Sequence, residues 1–112
     1  MTNVQWIEIG RVDDVPRRGA RVVQTPTCNI AIFRTMDNRF FALEDRCPHK
    51  NGQLSQGIVH DHKVTCPLHD LVIDLATGEG QAEGSGCAHV VDIHVEDGRI
   101  SIDLSALRRQ VA

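Results

Sequence analysis

Two short clusters of metal-binding side chains constrain what this chain can fold into. One reads Cys-Pro-His over residues 47–49 and the other Cys-Pro-Leu-His over residues 66–69, with sixteen residues between them. Thiolate and imidazole are the ligands that zinc and iron–sulfur centres take from proteins. A fold that uses both clusters for one centre must hold two loops side by side. The candidate ligands are Cys47, His49, Cys66 and His69.

The order of the ligands separates two kinds of metal centre. A zinc finger is typically built from one pair of closely spaced cysteines and one pair of closely spaced histidines. Here each cluster is mixed, and a single residue separates Cys47 from His49. A two-iron centre accepts this mixture because neighbouring ligands of one loop can bind different irons. A zinc-stabilised β-domain that acts only as a binding module is the alternative from a different functional class.

The ligand motif resembles that of the Rieske [2Fe-2S] family, in which two histidines replace two cysteines on one of the two irons. The resemblance implies that Cys47 and Cys66 bind one iron and that His49 and His69 bind the other. It implies a Rieske-type [2Fe-2S] cluster as the cofactor. It also implies that the histidine ligands present an edge towards solvent or a redox partner.

The resemblance also implies an all-β fold. This would be an antiparallel β-sandwich or barrel with a small cluster-binding sub-domain inserted at one tip. The 112 residues suffice for one domain with a modest core. Its base would comprise about residues 1–45 and 76–112, and the sub-domain about residues 46–75.

Composition excludes several classes of partner. The net charge is −3, and no run of like charge predicts a nucleic-acid-binding segment. No apolar stretch reaches the roughly 18 residues that span a bilayer, so no membrane partner is expected. The first residues lack the basic and apolar regions of a secretory signal, and we therefore expect a cytoplasmic protein.

The chain contains four cysteines, and disulfides are disfavoured in a reducing compartment. Two of the cysteines are candidate ligands. Cys28 precedes an apolar run and is predicted to be a small core residue. Cys87 follows the sequence Glu-Gly-Ser-Gly and is predicted to be half exposed.

Short segments rich in β-branched residues predict strands, and few segments show helical periodicity. Trp6 in the first strand is predicted to anchor the core. Apolar residues alternate over 91–95 and again over 100–104, and the Asp-Gly pair between them predicts a type I′ hairpin. Residues 105–111 are predicted to form a helical turn or a frayed tail. The other predicted strands are 4–9, 21–24, 30–35, 40–43, 58–60, 63–65 and 72–75.

We predict an electron carrier with no catalytic residues of its own. The sequence offers no phosphate-binding loop and no nucleophile and base at a spacing that would place them together. In high-potential members of the Rieske family, a disulfide and two hydroxyl donors surround the cluster. The positions that correspond to them here carry no such groups, and the resemblance therefore implies a low reduction potential. These positions are Gly52, Leu68, Leu71 and Ile73. The non-ligand histidines His60, His62, His89 and His94 are predicted to be surface residues.

Residues 54–59, 63–69, 72–78 and 95–100 resemble the small subunit of assimilatory NAD(P)H-dependent nitrite reductase, which supports the reduction of nitrite to ammonium. This resemblance implies a large subunit with flavin and sirohaem as the partner. The alternative is the ferredoxin of an aromatic-ring dioxygenase, whose partners would be a reductase and an oxygenase. Dioxygenase ferredoxins more often follow the second ligand histidine with small residues and then an aromatic, where this chain has Asp-Leu-Val-Ile.

Overall fold

The chain folds as an all-β protein, as the sequence predicts. A computed structural model describes residues 6–25, 28–47, 52–66, 71–81 and 86–103. These ranges contain ten strands, two 3₁₀ turns (Val12–Asp14 and Leu54–Gln56) and no helix long and apolar enough to cross a membrane. The strands are β1 Trp6–Arg11, β2 Gly19–Gln24, β3 Asn29–Arg34, β4 Phe40–Glu44, β5 Ile58–His60, β6 Lys63–Thr65, β7 Val72–Asp74, β8 Val90–Val91, β9 Ile93–Glu96 and β10 Arg99–Asp103.

The described strands pair in an antiparallel manner and form three sheets. The first has the strand order β1-β10-β9, the second β2-β3-β4-β8 and the third β5-β6-β7. The third sheet lies, in sequence, between β4 and β8 of the second sheet. It falls within the predicted sub-domain of about residues 46–75, whose assignment as a cluster-binding unit stays a prediction.

The four-stranded sheet contributes side chains to two separate cores, one on each of its faces. Side chains alternate across a strand, so Ile30 and Ile32 of β3 face one side while Ala31 and Phe33 face the other. All four are fully buried. A strand covered on both faces reads as a continuous apolar run rather than an alternating one, which explains the sequence of β3.

The first core lies between the four-stranded sheet and the β1-β10-β9 sheet, and we call it the distal core. It consists of Val15, Ile30, Ile32, Ala42, Val91, Ile100 and Ile102. Cys28 is half-buried against this core, in agreement with the prediction that it is a core residue.

The second core lies between the four-stranded sheet and the small β5-β6-β7 sheet, and we call it the ligand-side core. It includes both candidate ligand cysteines. Its members are Ala31, Phe33, Leu43, Cys47, Leu54, Val59, Val64, Cys66, Ile73, Leu75 and Ala88.

The predicted type I′ hairpin is confirmed. Glu96 of β9 pairs with Arg99 of β10, so that two residues make the turn. Asp97 has a φ of 53° and Gly98 a φ of 74°, and this turn type requires positive φ at both positions. Residues 104–111, which include the predicted tail, lie outside the described residues.

The alternation over 91–95 predicts one strand, but the segment belongs to two sheets. Val91 pairs with Ala42 of β4, whereas Ile93 pairs with Ile102 of β10. The chain changes sheet at Asp92, whose carbonyl oxygen accepts a hydrogen bond from the Asp103 amide at 3.0 Å. Alternation along the sequence cannot reveal this change because both strands bury residues in the same core.

The prediction that Trp6 anchors the core is wrong. Trp6 is 50% exposed and contacts the ring of His94, with the ring centroids 5.7 Å apart. The register between β1 and β10 shifts between Glu8 and Gly10, so regular alternation does not extend along the whole of β1. Ile9, at this shift, packs against the distal core in place of Trp6.

Candidate metal centre

The two candidate ligand cysteines occupy equivalent places in the fold. Cys47 comes shortly after β4 ends, and Cys66 comes directly after β6. Both side chains are fully buried, and both belong to the ligand-side core. No disulfide joins any of the four cysteines, all of which lie within the described residues.

Each of these cysteines begins a loop that a backbone hydrogen bond closes. The Cys47 amide donates to the Gly52 carbonyl oxygen at 2.7 Å, and the Cys66 amide donates to the Leu71 carbonyl oxygen at 2.7 Å. Each bond therefore spans five residues, and the two loops are closed in the same way. The predicted histidine ligands, His49 and His69, lie outside the described residues, within the sequence spans that these bonds close.

The chain that leaves the first loop passes close to the strand that leads into the second. An added Cβ at Gly57 would lie 2.2 Å from the carbonyl oxygen of Thr65, which precedes Cys66. The amide of Gly57 donates to the Leu54 carbonyl oxygen at 2.9 Å and ends the second 3₁₀ turn. A glycine is therefore required where the backbones of the two loop regions meet.

Asp45 and Ser55 are residues beside the candidate centre that the sequence analysis did not single out. The Asp45 carboxylate is buried and accepts two hydrogen bonds from Ser55, one from its amide and one from its hydroxyl, each at 2.7 Å. The sequence signal for this contact is limited to an aspartate just before the first ligand cluster. Its partner lies ten residues away, and no local pattern predicts that the two meet.

Two of the predicted surface histidines, His60 and His62, are half-buried beside the small sheet and have specific partners. His60 Nε2 lies 2.7 Å from the hydroxyl of Thr65. His62 Nε2 lies 2.9 Å from Asp37 Oδ2, and its ring contacts Phe41 with the centroids 5.7 Å apart. The Asp37–His62 pair joins the β3–β4 turn to the β5–β6 turn.

The Thr35 hydroxyl donates to the Asp37 carboxylate. This bond and the one from His62 lower the pKa of Asp37 from 3.8 to about 2. His89 and His94 are exposed, as predicted. Cys87 is exposed rather than half exposed.

The described residues fit an iron–sulfur group. Such a group is held by cysteine thiolates, and Cys47 and Cys66 provide two fully buried sulfur atoms in one apolar core. Gly52 and Ile73 are buried and Leu71 is half-buried, and none of these three side chains can donate a hydrogen bond to sulfur. The low reduction potential stays a prediction.

Known proteins agree with this assignment. Residues 5–94 match the Rieske [2Fe-2S] domain family. The anthranilate 1,2-dioxygenase ferredoxin subunit of Burkholderia cepacia is 36% identical over 107 residues, which cover 92% of this chain and 95% of that protein. The 3-phenylpropionate/cinnamic acid dioxygenase ferredoxin subunit of Photorhabdus laumondii is 38% identical over 96 residues, covering 84% and 90%.

A solved structure of a proposed NADH-dependent nitrite reductase small subunit from Mycobacterium tuberculosis has the same fold, with a TM-score of 0.82. It is 21% identical, and the alignment covers 91% of this chain and 96% of that one. The family match favours a two-iron centre over the zinc alternative. The chain therefore belongs to the Rieske [2Fe-2S] domain family, and it is an electron-transfer protein that carries a Rieske-type [2Fe-2S] cluster.

Proposed function

We propose that this chain is the ferredoxin component of a multicomponent dioxygenase, and that it passes single electrons from a reductase to an oxygenase. The observation that carries the proposal is the identity of 36% and 38% to two dioxygenase ferredoxin subunits, over 92% and 84% of the chain. This reverses the preference drawn from the sequence motifs, which favoured the nitrite reductase subunit.

The same proposal assigns the ligands. Cys47 and Cys66 hold one iron, and His49 and His69 hold the other. The burial of both sulfur atoms and the equal closure of the two loops support the cysteine half of this assignment. A bound Rieske cluster would store one electron for transfer to the next component.

The small subunit of NAD(P)H-dependent nitrite reductase is the second candidate, with a flavin- and sirohaem-containing large subunit as its partner. The observation that favours it is the residue type after the second ligand cluster. Leu71 is half-buried and packs against the ligand-side core, where dioxygenase ferredoxins more often have small residues. The solved nitrite reductase neighbour is 21% identical and supports the fold alone.

A reconstitution experiment separates the two functions. The purified, cluster-loaded protein is mixed with the reductase and oxygenase of an aromatic-ring dioxygenase, and product formation and ferredoxin reoxidation are followed by stopped-flow absorbance. We expect electron transfer to the oxygenase. In parallel, the protein is tested for binding to a nitrite reductase large subunit and for stimulation of nitrite reduction. Stimulation there, with no transfer to the oxygenase, contradicts the proposal.

The control for this experiment is Cys66→Ser, which also tests the ligand assignment. Loss of one thiolate is expected to reduce bound iron and acid-labile sulfide to near zero and to abolish transfer to either partner, since metal binding and loop ordering are coupled. A Cys66→Ser protein that keeps its iron, sulfide and visible spectrum would show that Cys66 is not a ligand.

A further inference from the structure

The carboxylate of Asp45 connects the two ends of the first ligand loop. Oδ1 accepts a hydrogen bond from the Ser55 amide and Oδ2 accepts one from the Ser55 hydroxyl, each at 2.7 Å. Asp45 is only 8% exposed. Its own amide donates to the Asn29 carbonyl oxygen at 2.8 Å, which continues the β3–β4 ladder by one residue. One residue therefore binds the loop's start to the sheet and to the loop's end.

The second ligand loop needs no such contact. Its two ends are Thr65 of β6 and Val72 of β7, which are paired neighbours in the small sheet. The first loop begins at the end of a strand, but it leads into the 3₁₀ turn Leu54–Gln56, which has no place in any described sheet. The Asp45–Ser55 contact thus joins the two ends of the first loop, as strand pairing joins the two ends of the second.

We propose that Asp45 is a positioning residue for the candidate ligand Cys47, and that with Ser55 it forms a brace that slows loss of the cluster. The brace joins two positions that are ten residues apart, and Cys47 lies between them in the sequence. The inference rests on Cys47 being a ligand. It is independent of the partner, because the dioxygenase and nitrite reductase functions both require a firmly held cluster.

The physical basis is the cost of opening the loop. Hydrogen bonds to a carboxylate are stronger than those between neutral groups. Opening the brace within the buried environment leaves a carboxylate and a backbone amide without partners. The first loop is therefore expected to open less often than a loop that is joined only by the Cys47–Gly52 bond.

Three variants of the cluster-loaded protein test the brace. Asp45→Ala removes both hydrogen bonds, and Ser55→Ala removes the one from the hydroxyl. Asp45→Asn keeps the size of the side chain and an oxygen that accepts from the Ser55 amide. The measured quantities are the rate of iron release to a colourless chelator and the rate of amide hydrogen exchange at Cys47. Neither measurement requires redox activity.

We expect iron release to be about tenfold faster in Asp45→Ala, the effect of roughly one charge-assisted hydrogen bond. Ser55→Ala and Asp45→Asn each keep a hydrogen bond from the Ser55 amide, and both are expected to lie between Asp45→Ala and the unmodified protein. Exchange at the Cys47 amide should follow the same order. Asp13→Ala and Ser101→Ala, an exposed aspartate and a half-buried serine away from the loop, are the matched controls and should release iron at the original rate.

Three results would overturn the brace. One is unchanged iron release in both Asp45→Ala and Ser55→Ala. Another is release from Asp45→Asn that is as fast as from Asp45→Ala, because the hydrogen bond from the Ser55 amide that the Asn side chain can still accept would then contribute nothing. The third is acceleration in the control variants equal to that in the Asp45 variants. A Cys47→Ser protein is included because retention of its cluster would show instead that the ligand assignment has failed.

Discussion

Gly57 shows how a single residue links the two ligand loops. A Cβ added at Gly57 would lie 2.2 Å from the carbonyl oxygen of Thr65 and 3.1 Å from that of Leu54. Both neighbours are backbone atoms, which cannot move aside without disturbing β6 or the second 3₁₀ turn. The close approach therefore depends on the absence of a side chain, and no φ restriction is involved.

Gly57→Ala is expected to lower the free energy of unfolding by about 1–3 kcal/mol, the usual cost of overpacking a site. Urea denaturation followed by far-ultraviolet circular dichroism measures this change. Gly10→Ala is the control, because the closest atom to its added Cβ is Nη1 at the flexible end of Arg21. Equal stability of the Gly57 and Gly10 variants would contradict the close approach.

At the scale of elements, the tips of two hairpins meet through side chains. Asp37 in the β3–β4 turn contacts His62 in the β5–β6 turn at 2.9 Å, so the contact joins the four-stranded sheet to the small sheet. The hydroxyl of Thr35 and then His62 lower the pKa of Asp37 to about 2. The charged form of Asp37 is thus favoured in the folded protein.

The sign of the pH effect follows from this lowered pKa. A carboxylate whose pKa is lower in the folded state adds stability above its unfolded pKa, and this stability is lost as the pH falls through the folded pKa. Asp37 should therefore contribute fully above about pH 4 and lose its contribution towards pH 2. Because the side chains of Asp37 and His62 are both about half exposed, the effect will be small and sensitive to salt.

Asp37→Asn tests this expectation. The difference in unfolding free energy between the original protein and the variant should be greatest above pH 4 and should shrink towards pH 2. It is measured by urea denaturation in a series of buffers. Asp61→Asn, an exposed change in the neighbouring turn, is the control. A difference that does not depend on pH would mean that the carboxylate is not held by these partners.

At the scale of the whole molecule, one sheet serves two cores. Phe33 faces the ligand-side core and Ile32 faces the distal core, and both are fully buried. Substitution of one of these adjacent residues by alanine should therefore disturb one core and leave the other intact.

Phe33→Ala and Ile32→Ala are both expected to lower the free energy of unfolding, by about 3–5 and 2–5 kcal/mol respectively. Only Phe33→Ala should also speed iron release from the loaded protein, because it opens a cavity in the core that contains Cys47 and Cys66. Denaturation and chelator assays on both variants measure the two effects. Equal iron release from the two proteins would show that the cores are not independent.

Local patterns predicted much of this architecture. The strand pairs 58–60 and 63–65, the type I′ turn and the closeness of β4 to the first ligand cluster all follow from alternation and turn residues. What could not be predicted depends on contacts between distant positions. The register of β1 shifts between Glu8 and Gly10, so the exposure of Trp6 does not follow from the sequence pattern. The Asp45–Ser55 and Asp37–His62 contacts exist only once separate segments meet.

The segment that contains the small sheet begins and ends at neighbouring positions of the four-stranded sheet. Leu43 of β4 pairs with Val90 of β8, and the Glu44 amide donates to the His89 carbonyl oxygen at 2.8 Å. The stretch 45–88 therefore has its two ends side by side, and a short linker between Glu44 and His89 would leave the remaining strands in register. Such a graft, or the exchange of this segment between relatives, would have to cover the faces of Phe33 and Leu43 that the segment now buries.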